Sequence, residues 1–74
     1  MNVEQRQRSI VDAVARDGRV SVTELAARYD VTVETVRRDL TALDRLGALR
    51  KVHGGAVPAT VLALPETGVA EREL

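Results

Sequence analysis

The chain contains no cysteine, tryptophan or phenylalanine, a single tyrosine, Tyr29, and no excess of either charge. Each absence removes a class of function. Without cysteine there is no disulfide framework, no thiolate metal site and no cysteine nucleophile. With one aromatic side chain, the chain has no platform for stacking successive bases of a single strand. The longest uninterrupted apolar run is the four residues 61–64, far short of the ~20 that cross a bilayer. Glu4, Arg6, Arg8 and Asp12 interrupt any apolar stretch near the N-terminus, so it does not read as a signal peptide. There is no GxGxxG and no phosphate-binding loop. The one histidine, His53, has neither a second metal ligand nor a nucleophile beside it in the sequence. The expectation is a cytoplasmic protein without cofactor or metal, and not an enzyme.

What is present fits one small domain. The 74 residues are 45% hydrophobic and 30% charged, an ordinary composition for a folded chain. The eleven basic and eleven acidic side chains are unevenly placed. Residues 1–57 hold ten basic and eight acidic groups, a balance of +2, whereas residues 58–74 hold one basic and three acidic groups, a balance of −2. An acidic tail masks a mildly basic body.

Three helix signals follow in order. Asn2 with Gln5 three residues later forms a capping pair, and Gly18 supplies the left-handed residue that ends a helix, which predicts a first helix over 3–17. Its apolar face would carry Val3, Ile10, Val11 and Val14. Residues 19–20 are too short for an independent strand but can pair with one further along. Ser21 with Glu24 fits a capping box for a short second helix over 22–29, buried through Leu25 and Ala26 and closed by a turn at Asp30 and Val31. Thr32 caps a third helix over 33–46, stopped by Gly47. At 100° per residue, Val33, Val36, Leu40 and Leu43 share its buried side; Glu34, Arg38, Thr41 and Arg45 lie opposite, with Thr35 and Arg37 on the borders. Residues 49–57 then read as a hairpin turning on the paired glycines Gly54 and Gly55. Two prolines and a glycine within 58–68 read as a linker, with a helical pattern starting again at 69–74.

This order predicts a mainly α fold with a small β-hairpin: a winged helix-turn-helix of three helices and a two- or three-stranded wing over residues 1–57, followed by a linker over 58–74. The physics suits duplex DNA, whose major groove admits one helix that reads bases near its N-terminal end.

Arg6, Ile10 and Val14, spaced by four, are followed after a gap by Thr32-Val33-Glu34-Thr35-Val36-Arg37-Arg38-Asp39-Leu40 and then by Leu49-Arg50-Lys51-Val52-His53-Gly54-Gly55-Ala56-Val57. Three separated blocks in this order resemble the DeoR family of bacterial transcriptional regulators over residues 3–57. The resemblance implies sequence-specific binding of double-stranded operator DNA by a repressor of sugar uptake or catabolism genes. It also implies an absent C-terminal domain that binds a sugar phosphate and assembles homo-oligomers, which leaves the present chain mainly monomeric.

The candidate DNA-contacting residues follow from their positions. Arg38 lies mid-face on the third helix, placed for a bidentate contact to guanine or a phosphate, with pairing to Glu34 as its bland alternative. Arg37 either grips phosphate or pairs with Asp44. Thr35 suits a base or phosphate contact, and Glu34 either accepts from a cytosine amino group or favours the helix dipole. Thr32 is first a cap, and Thr41 and Arg45 continue the outward face. Tyr29 is expected to pack with its hydroxyl near phosphate. Lys51 and His53 on the wing face solvent or the DNA backbone, and Gly54 and Gly55 are turn residues that let the wing tip approach closely. Arg6 and Arg8 on the first helix either clamp flanking phosphates or form a solvated face. Asp39 cannot attract DNA and is expected to be structural, orienting an arginine. The rival to DNA binding is a winged-helix protein-interaction module, which the Arg37-Arg38 pair disfavours, because docking faces are more often apolar or aromatic.

Overall fold

In the computed structural model, which describes residues 1–59, the elements run α1 (Val3–Asp17), β1 (Val20–Ser21), α2 (Val22–Tyr29), α3 (Val33–Arg45), β2 (Arg50–Val52) and β3 (Gly55–Val57). The expected linker beyond Ala59, and the helical pattern at 69–74, lie outside the described residues.

The helix starts are where the caps place them. The Asn2 side chain accepts from the Gln5 amide at 2.8 Å while the Gln5 side chain accepts from the Asn2 amide at 3.1 Å, a complete capping box. Ser21 accepts from the Glu24 amide at 3.0 Å, but no return bond from the Glu24 carboxylate forms. Ser21 is at the same time a strand residue, set opposite Gly55. The third helix ends at Arg45 rather than at Leu46, which is 77% exposed. Gly47, at φ +77°, sends its amide to the Asp44 carbonyl, and the Ala48 amide reaches the Leu43 carbonyl, each at 3.0 Å; this paired closure ends the helix one residue early.

The second helix closes by the same device with a less suitable residue. The Val31 amide bonds the Ala26 carbonyl at 3.0 Å and the Asp30 amide the Ala27 carbonyl at 3.4 Å, with Asp30 at φ 56°. Asp30 is the one non-glycine residue at positive φ among the described residues, and it places an acidic group at the negative end of a helix. Asp30→Gly is therefore expected to stabilise the domain by about 0.5–1 kcal/mol, read as a higher midpoint in urea at unchanged slope. An unchanged or lower midpoint would show that the aspartate side chain compensates locally.

Ile10, Ala13 and Val14 from α1, Val22, Leu25 and Ala26 from α2, and Val36, Leu40 and Leu43 from α3 form one core, joined by Val20, Leu49 and Ala56. Val3, expected on the buried face, is 53% exposed, one turn too early to meet the other helices. The pairing expected of residues 19–20 forms one residue later, at Val20 and Ser21, with Arg19 outside the strand: the sheet order is β1-β3-β2, all antiparallel, with Val20 opposite Ala56 and Ser21 opposite Gly55. The hairpin does not turn on both glycines. Val52 pairs with Gly55, so the two-residue loop is His53-Gly54, and Gly54 alone takes positive φ, at +76°. Gly55 is instead a buried residue of the central strand. A Cβ there would fall 1.9 Å from the Val20 carbonyl oxygen, and this closeness of β1 to β3 is why the position takes a glycine.

Candidate nucleic-acid interface

The outward face of α3 and the adjoining strand β2 enclose one open depression of about 470 Å³, lined by Glu34, Arg37, Arg38, Thr41, Ala42, Arg45 and Lys51. Its inner wall is fixed by burial of Val36, Leu40 and Leu43 on the opposite side of the helix. Four cations thus converge on one surface with a single carboxylate among them. Arg38 Nε lies 3.6 Å from Glu34 Oε2, with side chains 79% and 68% exposed, a loose surface pair worth little in water. Among the described residues, Arg37 and Arg45 form no ion pair. Asp44, the alternative partner of Arg37, is occupied by the wing: its Oδ2 accepts from the Lys51 backbone amide at 3.2 Å and its Oδ1 lies 3.8 Å from Arg50 Nε. Through Asp44, the last turn of α3 satisfies an outward-facing donor of the edge strand β2 and fixes the wing beside the helix.

Lys51 is part of the depression and not of the wing tip. Its Nζ donates to Thr41 Oγ1 at 3.1 Å, and the Thr41 hydroxyl in turn donates to the Arg37 carbonyl at 2.9 Å. At the start of α3, Thr32 Oγ1 accepts from the Thr35 amide at 3.1 Å and donates to Thr35 Oγ1 at 3.0 Å. Thr32 is thus a cap, and the Thr35 hydroxyl keeps its own proton for another acceptor. His53 and Gly54 sit exposed at the loop between β2 and β3.

Three residues expected at the interface are placed otherwise. The Tyr29 hydroxyl meets Ser9 Oγ at 2.6 Å and its ring packs against the core, so it joins α2 to α1. Gly55 lies buried in the sheet. Arg6 does not face outward as a clamp: its Nε donates to Asp39 Oδ2 at 2.5 Å and its Nη2 to Asp39 Oδ1 at 3.2 Å, leaving the side chain 12% exposed. Asp39, 4% exposed, also accepts from Gln7 Nε2 at 3.1 Å. The expectation that Asp39 orients an arginine thus has its partner in Arg6. The hydrogen bond to Asp39, helped by charge attraction and opposed by burial, raises the Arg6 guanidinium above its ordinary range. Because its value is raised, this arginine stays protonated in both the folded and the unfolded chain through neutrality and adds no pH dependence of its own there. Arg8 is exposed on α1 and does not line the depression.

Sequence reasoning did not single out Ala42, which lies on the outward face of α3 between Arg38 and Arg45. Its signal was there in the i, i+4 spacing from Arg38. A second, smaller depression lies elsewhere, lined by Val11, Val14, Ala15, Gly47, Ala48, Pro58 and Ala59, without a charged side chain. No helix among the described residues is long and apolar enough to cross a membrane.

Three helices with a tight α2–α3 turn, a β-hairpin wing fixed beside the third, and a cationic outer face on that helix define a winged helix-turn-helix domain of the DNA-binding kind. The sequence pattern of the DeoR-like helix-turn-helix domain matches residues 6–60, and the chain belongs to that family. It is 42% identical over 53 residues to the HTH-type transcriptional regulator GolR of Listeria innocua, covering 72% of this chain and 21% of that protein. It is 38% identical over 72 residues to the lactose phosphotransferase system repressor of Streptococcus mutans, covering 97% of this chain and 29% of that protein. A 48% identity over 52 residues links it to the L-fucose operon activator of Haemophilus influenzae, covering 70% and 21%. The chain therefore spans between a fifth and three tenths of the length of these relatives. No solved structure matches it.

Proposed function

We propose that this domain binds double-stranded operator DNA sequence-specifically, with α3 in the major groove and the wing against the backbone. The observation that carries this is the convergence of Arg37, Arg38, Arg45 and Lys51 on one exposed surface formed by α3 and β2. In such a pose Arg38 is the candidate for a bidentate guanine contact, Ala42 offers an apolar contact to a thymine methyl, and Glu34 can accept from a cytosine amino group. Thr35, Arg37 and Lys51 then hold phosphate. A domain with a balance of only +2 over residues 1–57 has modest non-specific attraction, so its affinity must draw on base contacts. The test is selection from a random duplex pool followed by titration of the selected and an unrelated duplex at one salt concentration. Preference for the selected duplex supports the reading, and equal affinity for both contradicts it.

The wing makes a separate prediction. Lys51→Ala should weaken selected and unrelated duplexes about equally and lower the slope of log affinity against log salt by about 1, because one phosphate contact is lost. An unchanged slope would show that Lys51 stays with Thr41 and does not touch the backbone.

For the whole regulator we extend the reading from the names of its relatives, which include a lactose phosphotransferase system repressor, an L-fucose operon activator and a glycerol-3-phosphate regulon repressor. The domain serves a cytoplasmic, homo-oligomeric repressor of sugar uptake or catabolism genes, without catalytic activity of its own. A phosphorylated sugar controls it by binding outside residues 1–59.

A further inference from the structure

The cluster of Arg6, Gln7 and Asp39 lies outside the cationic depression, yet Asp39 is the residue next to Arg38. It stands about 60° round α3 from Val36, on the edge of the buried face. The hydrophobic core holds α3 through Val36, Leu40 and Leu43, and such contacts are non-directional: apolar side chains tolerate small rotations and shifts. The Asp39 carboxylate is different. Arg6 meets both of its oxygens and Gln7 adds a third donor, so three directional bonds from α1 converge on one carboxylate of α3. They fix the rotation of α3 about its own axis and its position along α1.

We infer that Arg6 and Asp39 are positioning residues for sequence reading: their fork sets the angle at which α3 presents Arg38 and Glu34 to the bases, and it is not chiefly a stability device. The lever is short but sufficient. A side-chain tip about 6 Å from a helix axis moves about 1 Å when the helix turns through 10°. An error of that size spoils a bidentate base contact, whose geometry must be held to about 0.5 Å, but leaves contacts to phosphate nearly intact. A buried ion pair is expensive to desolvate, and well-packed apolar residues often replace one without loss of stability.

This inference rests on DNA reading by α3, and the experiment separates the two. The double variant Arg6→Met/Asp39→Leu is compared with the wild-type chain in thermal unfolding, in affinity for an unrelated duplex, and in preference for the duplex that the wild type selects from a random pool. The expected result is a midpoint within a few degrees of wild type or higher, unrelated-duplex affinity within about twofold, and preference reduced at least tenfold. Arg6→Lys, which keeps the charge but not the fork, should keep the fold and lose part of the preference. Unfolding of the double variant, or a preserved preference, would overturn the inference and make the fork purely structural. If the wild-type chain selects no sequence at all, the proposed function fails first and this inference falls with it.

Discussion

Gly55→Ala should destabilise this domain by about 3 kcal/mol or more, most of the stability expected of a chain this small. The methyl group would lie 1.9 Å from the Val20 carbonyl oxygen and 3.0 Å from the Val20 carbonyl carbon, both backbone atoms that no side-chain rotation can clear. Accommodation requires β1 to separate from β3. That breaks the Val20–Ala56 and Ser21–Gly55 pairs and withdraws the Gly54 carbonyl from the Val22 amide, which it meets at 2.8 Å. Val20 and Ala56, both in the core, would shift with them. The unfolding midpoint should fall by about 12 °C or more at 4–8 °C per kcal/mol. Gly54→Ala is the control: its φ of +76° carries strain, but nothing lies within 4 Å, so the cost should be about 1 kcal/mol. Equal midpoints for the two variants would contradict this account of the wing.

Arg38→Ala should reduce the ratio of selected- to unrelated-duplex affinity by about 5- to 150-fold, the equivalent of 1–3 kcal/mol for one bidentate base contact. Among the described residues its guanidinium is held only by the loose 3.6 Å approach to Glu34, so little there opposes its transfer to a base edge. Affinity for unrelated duplex should change far less. If both affinities fall by the same factor, Arg38 is a phosphate anchor and base reading belongs to another residue of the same face.

The contrast between these two positions shows what the sequence could convey. Arg38 was legible because its place depends on one helix: the cap at Thr32 fixes the start, the apolar positions 33, 36, 40 and 43 fix the buried side, and the outward face follows. The three helix starts were legible for the same reason, since Asn2, Ser21 and Thr32 each bond an amide three residues on. Gly55 was not, because its constraint comes from Val20, brought against it only when β1 joins the sheet. Two adjacent glycines read as a turn, and nothing local separates the one that needs positive φ from the one that needs an absent side chain. Arg6 failed in the same way. On α1 it has the spacing of a solvated or phosphate-facing arginine, and its partner stands 33 residues away on α3. Tyr29, joined to Ser9 across 20 residues, is a third case. The polar bonds that tie α1 to the other two helices all fall between elements, where periodicity carries no information.

The central claim, that this domain reads duplex DNA through the outer face of α3, is tested most directly by following backbone amide chemical shifts during titration with a selected duplex. The account predicts that the largest changes cluster on the first three turns of α3, from Thr32 to Ala42, and on the wing from Lys51 to Gly54. It also predicts little change around Val11, Ala15 and Ala48. Changes centred on that apolar depression instead, with α3 unaffected, would contradict it.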